Sequence, residues 1–137
     1  MGKYDNIPEE LKKEKNWVCY DSTKLPKNPY TGQNAQTNNK DTWSDFDTAL
    51  KACEKYKFEG VGFVFDGKKY FGVDLDKCLD NAEFIEEFVE TLQSYTEISK
   101  SGNGIHIICK GTLPAGAKRR GNVEMYSERR YFIMTGK

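Results

Sequence analysis

Two stretches of the chain repeat apolar residues at helical spacing, and much of the remainder alternates in short runs of β-branched and aromatic residues. Phe46, Ala49, Leu50 and Cys53 form the first helical set. Ser44 and Asp47 at its start resemble a capping box, and Gly60 is the expected stop. Phe84, Ile85, Phe88, Val89 and Leu92 form the second set, predicting a helix over 81–93 with acids on its other side. A shorter helix is expected from Ile7-Pro8 into EELKKEK, with the proline in its first turn. Strands are predicted at 16–21, 61–65, 70–76, 95–99, 105–110, 122–126 and 130–136. Asp66-Gly67 reads as a hairpin turn between the second and third strands, KSGNG (100–104) as a turn between the fourth and fifth, and 114–121 as a basic loop. Residues 22–41 form one long polar segment rich in Pro, Gly, Asn and Thr, a length of loop that is often functional. Mixed helices and strands, with hairpins dominating the second half, predict an α+β domain with a largely antiparallel sheet.

One predicted strand breaks its own pattern. FGVDLDKC (71–78) interleaves Phe71, Val73 and Leu75 with Asp74 and Asp76. Side chains two apart on a strand share a face, so two carboxylates lie side by side, where burial is costly and like charges repel. An exposed edge, or a lysine at the strand end, is the ordinary remedy. A divalent cation is the other, since hard cations take carboxylate oxygens and remove both penalties. Glu124, between Val123 and Met125, is another acid flanked by apolar residues on a predicted strand. Three carboxylates on two strands suffice for two metals roughly 3.5–4 Å apart, the arrangement of in-line phosphoryl transfer. His106, the single histidine, follows the glycine turn and faces away from Ile105 and Ile107. Ser101, Gly102 and Gly104 are candidates to present a hydroxyl and backbone amides to a phosphate, although a plain hairpin turn explains the same residues.

Composition narrows the class. With 137 residues, 31% of them charged and 13% aromatic, the chain suits one folded domain over residues 1–137. The abrupt stop after Thr-Gly-Lys suggests the front part of a longer protein. No run approaches 18 apolar residues and the N-terminus has no signal-peptide core, so a cytoplasmic protein with no membrane partner is expected. Cys19, Cys53, Cys78 and Cys109 are scattered without a CxxC pair, which argues against zinc and against a disulfide framework. The net charge is zero, yet residues 99–137 carry eight basic and two acidic residues, or +6, balancing −6 upstream. That asymmetry hints at an anionic partner for the C-terminal part.

Taken in order, Asp-x-Asp on a strand, a glycine turn and strand bearing His, and an acid on a later strand resemble the archaeo-eukaryotic primase superfamily. Within it, the chain resembles particularly the bifunctional primase-polymerase domains of phages and plasmids. It extends over nearly the whole chain, from NIPEELKKEKNWVCY through LPKNPYTGQNA, DTWSDFDTAL and GVGFVF to YFGVDLDKC, YTEISKSGNGIHIICKG, GNVEMY and RRYFIMTGK. GVDLD, SGNGIHI and NVEMY at these intervals are its distinctive part. The resemblance implies a primase catalytic core: an RRM-like, mostly antiparallel sheet with an N-terminal αβ unit beside it. It implies that Asp74, Asp76 and Glu124 ligate Mg²⁺ or Mn²⁺ in a two-metal site, and that His106 contacts the incoming nucleotide. One departure is Gly104, where the family often has Ser two residues before the histidine.

The implied activity is nucleotidyl transfer, DNA primase and polymerase chemistry on a single-stranded template during mobile-element replication. Nucleoside triphosphates, single-stranded DNA and a helicase domain or protein are the implied partners. Lys100, Lys110, Arg119, Arg120, Arg129 and Arg130 are candidate triphosphate ligands, and Lys24, Lys27 and Lys40 candidate template contacts. Trp17 and Trp43, beside element starts, read as core. A nicking endonuclease of the replication-initiator kind needs a His-x-His pair, which one histidine cannot form. A plain interaction domain would show a large apolar surface signature, which is missing. A nucleotide- and metal-binding module without catalysis of its own remains the alternative.

Overall fold

Two antiparallel sheets, packed face against face, organise the computed structural model, which describes residues 4–66, 70–75, 95–98, 104–110, 118–120, 123–126 and 128–136. The first sheet has the order β2-β1-β3-β9, from Pro26–Lys27, Trp17–Tyr20, Gly60–Asp66 and Glu128–Ile133. The second has the order β5-β6-β4-β8-β7, from Tyr95–Ile98, Ile105–Lys110, Tyr70–Leu75, Val123–Tyr126 and Lys118–Arg120. Two α-helices, α1 (Glu9–Lys12) and α2 (Phe46–Tyr56), complete the described elements with a 3₁₀ turn at Lys40–Thr42. The α+β class expected from the chain is what forms.

The first sheet is buried on both faces, which explains why its central strands read as continuous apolar runs. Trp17, Cys19, Val61, Phe63, Phe65 and Phe132 face the main core with α1 and α2, and rings at T-shaped angles fill it: Trp17 on Phe46 at 4.9 Å, Phe63 on Tyr70 at 5.8 Å and Phe65 on Phe132 at 5.0 Å. Val18 and Val64 face the other way, beneath Trp43 and Ala35 of the loop segment. Both tryptophans are core residues, as expected, with Trp17 fully buried and its indole N–H donated to the Leu11 carbonyl at 2.9 Å.

Several local expectations shift. The cap of α2 is Asp45, whose carboxylate accepts from Thr48 N at 2.8 Å. Ser44 is instead bound to Trp17 through paired backbone hydrogen bonds. Hydrogen bonds from Thr48 hold the Asp45 carboxyl below its usual range. The helix ends at Lys57 in the left-handed region (φ 58°), while Gly60 opens β3. Pro8 lies one place before α1 rather than inside it. The polar segment 22–41 holds the short strand β2 and leads into the 3₁₀ turn, and a strand (β7) occupies part of the expected basic loop. The helix expected over 81–93 and Cys78 lie outside the described residues.

The largest correction concerns Asp66-Gly67. Strands β3 and β4 do not pair as a hairpin; they belong to different sheets. β3 has β1 and β9 as neighbours and β4 has β6 and β8, so both sides of each strand are already hydrogen-bonded. The last strand accordingly joins the N-terminal sheet, and it ends at Ile133, leaving Met134–Gly136 as irregular backbone.

Candidate active site

β4 is the centre of the second sheet, and its irregular residue is the centre of a transverse row. Asp74 stands opposite His106 on β6 and opposite Glu124 on β8. His106 in turn stands opposite Glu97 on β5, and Glu124 opposite Arg119 on β7. Directly opposed residues in antiparallel strands share a face, so Glu97, His106, Asp74, Glu124 and Arg119 form one polar line across five strands. The flanking positions of the neighbouring rows, Val73 and Ile107, are fully buried on the opposite face.

The polar row belongs to the face that meets the first sheet. Tyr70 and Ile108, on the same side, join the main core, as does Tyr95 in part. Gly72 explains how the sheets come so close. A Cβ there would fall 2.6 Å from both Phe132 Cε2 and Phe65 Cζ, so only glycine admits these rings. Gly72→Ala should therefore cost about 1–3 kcal/mol, as overpacking does. Chemical denaturation of variant and parent would measure it, with Val73→Ala as a reference for ordinary core loss.

Phe132 also lies flat on His106, ring centres 4.1 Å apart at 16°. The imidazole is thereby fixed between a ring of the first sheet and Asp74, with Nε2 3.6 Å from Asp74 Oδ1. That distance is an electrostatic contact and too long for a hydrogen bond. Exposure rises along the row: Glu97 is 1% exposed, and the side chains of His106 and Asp74 are 11% and 30% exposed. The row thus opens toward solvent at Asp74.

Its closed end is a polar lock. Glu97 accepts hydrogen bonds from Thr135 N at 2.6 Å, Thr135 Oγ1 at 3.0 Å, Gly136 N at 3.1 Å and Tyr95 Oη at 2.8 Å. Burial pushes the Glu97 carboxyl above its usual range, against the pull of these donors, and burial pushes the Tyr95 hydroxyl up as well. Glu97 ties β5 to the segment that follows β9, so it holds the two sheets in register beside His106. Neither Glu97 nor Phe132 stood out in the chain. YTEI carries the same signal that marked Asp74, an acid alternating with β-formers.

Other expected site residues fall in several places. Lys110 is opposite Tyr70, four residues along β6 from His106, and Gly104 is buried just before β6. Arg120 stands opposite Val123, out of the polar row by one position. Arg129 and Arg130 lie on β9, in the other sheet, with Arg130 opposite Phe65. Asp76, Lys100, Ser101 and Gly102 lie outside the described residues. Among the described residues no three metal-binding side chains come together; Glu124 is placed here by its backbone register.

No protein-family model matches the chain. A DNA primase-polymerase of Nitratiruptor phage NrS-1 is 33% identical over 132 residues, covering 88% of this chain. The chain is a homologue of this phage primase-polymerase. It spans 18% of that protein's length, so the likeness is to one portion of that protein. The two-sheet α+β fold agrees with a primase core, and no helix among the described residues is long and apolar enough to cross a membrane.

Proposed function

We propose that the row centred on Asp74 is the nucleotidyl-transfer site of a DNA primase-polymerase. The observation that carries this reading is the register that aligns Asp74 with Glu124 on one side and His106 on the other. Two acids opposite each other on adjacent strands repel, by the rule that like-charged cross-strand pairs destabilise a sheet. Their oxygens are a donor set suited to Mg²⁺ or Mn²⁺, with Asp76 as the third member. Divalent ions held there supply charge neutralisation for a nucleoside triphosphate and its departing pyrophosphate.

The chain's own groups do the positioning. His106, held flat by Phe132, offers an N–H to the triphosphate beside Asp74, and Arg119 shares the row by its backbone register. A primer 3′-oxygen forms its bond to the α-phosphorus as the bond to pyrophosphate breaks, and the hydroxyl proton passes to solvent. Of the four arginines, Arg119 is the one in register with the row: Arg120 is one position off it, and Arg129 and Arg130 belong to the other sheet. A single-stranded DNA template, a helicase in the same replication machinery, and action in the cytoplasm of a cell carrying a mobile element complete the reading.

Primer extension and de novo priming on single-stranded DNA, with each metal and both sugar types, test it. Metal-dependent incorporation is expected. A second reading, nucleotide and metal binding that needs the rest of a larger enzyme for catalysis, is favoured by the small share of the homologue that this chain spans. Calorimetric nucleotide binding with blank extension would select it.

A further inference from the structure

The far side of the first sheet holds a cavity that the proposed chemistry does not use. It measures about 460 Å³, within the usual range for small-ligand sites. Lys15, Tyr30, Lys40, Asp41, Trp43 and Asp66 line it. Trp43 packs with Val18 and Val64, on the opposite face from Phe132 and His106, so the cavity is separate from the polar row. Tyr30 is 58% exposed.

That exposure is not slack. The loop presenting Tyr30 is braced by Asn28 Oδ1, which accepts from Tyr30 N at 2.8 Å, and by backbone bonds from Asn28 N to Gln33 O at 2.7 Å and from Gly32 N to Asn28 O at 2.8 Å. Trp43 is fixed too, its indole N–H donated to the Gln36 carbonyl at 2.8 Å. An aromatic ring on this braced loop, open to water beside two lysines and two carboxylates, offers a flat face, cationic donors and anionic acceptors together. Lysines suit phosphate, the aromatic ring suits a flat base, and carboxylates accept the exocyclic N–H of cytosine. Simple anions would be repelled by Asp41 and Asp66, and simple cations by Lys15 and Lys40. A nucleotide satisfies both.

We infer that this cavity binds one nucleotide of a single nucleic-acid strand, its base stacked on Tyr30 and its phosphates at Lys15 and Lys40. The inference leans on the nucleic-acid side of the proposed function and is independent of its metal chemistry. Fluorescence anisotropy in EDTA, with a labelled single-stranded oligo-dC, reads it without catalysis. Tyr30→Ala should weaken binding about tenfold, the scale of one lost base-stacking contact, while Tyr30→Phe keeps parental affinity. Oligo-dT should bind more weakly than oligo-dC, having no exocyclic amine for the carboxylates. Competition by dCMP separates the two sources of this chemistry: a strand unit requires dCMP to compete far worse than the oligonucleotide. Parental affinity in Tyr30→Ala, for oligonucleotide and mononucleotide alike, would overturn the inference. It would leave the polar row untouched, since that site is read by extension with Mg²⁺ or Mn²⁺.

Discussion

Asp74→Asn should lower nucleotide incorporation about a thousandfold, the upper scale for losing one preorganised electrostatic group in an active site. The same substitution should not weaken the fold in the absence of divalent ions. Asp74 faces Glu124 across β4 and β8, and opposed like charges cost about 0.2–1 kcal/mol. In EDTA at pH 8 the asparagine variant should therefore unfold at the same temperature as the parent or slightly above it. Loss of activity with retained or improved stability is the signature of a group kept for chemistry. Loss of both would assign Asp74 a structural part in the sheet.

Glu97 predicts the opposite pairing of effects. Glu97→Ala removes an acceptor from four donors, two of them backbone amides in the Thr135–Gly136 segment. Unfolding free energy should fall by about 3–5 kcal/mol, because several buried neutral donors lose their acceptor at about 1–3 kcal/mol for each left unsatisfied. Glu97→Gln is milder, about 1–3 kcal/mol. Each carboxylate oxygen accepts a backbone N–H, and an amide can accept through one atom alone. The acid has a further consequence for pH. Its folded-state pKa is raised from 4.5, so between 4.5 and the raised value the folded protein binds more protons than the unfolded chain. Stability contributed by Glu97 accordingly falls as pH rises through that window. Denaturation of Glu97→Gln across pH 4 to 8 should lose this slope, and an unchanged slope would contradict the assignment.

These two acids mark what the chain makes legible. Asp74 and Glu124 announce themselves because a carboxylate alternates with β-formers in a strand that reads as buried, and His106 because it follows a glycine turn. Their alignment is not legible. Cross-strand register depends on which strands become neighbours, and Asp66-Gly67 carries a local hairpin signal that the two-sheet arrangement overrides. β7 escaped notice for a related reason: an edge strand made of Lys-Arg-Arg has no hydrophobic period, and charge is how edges are kept from pairing further. Phe132 and Gly72 were invisible as partners, since a ring lying on a glycine 60 residues away is a tertiary fact. The cap of α2 moved by one residue, from Ser44 to Asp45, because Ser44 was claimed by backbone pairing with Trp17.

On the proposed reading, Asp74 and Glu124 bind a divalent ion together with a nucleoside triphosphate. A calorimetric titration of Mn²⁺ into protein holding a non-hydrolysable triphosphate measures this directly, with parent and Glu124→Gln compared. At least tenfold weaker Mn²⁺ binding by the variant is expected; equal affinity in the two proteins would rule out a shared metal site.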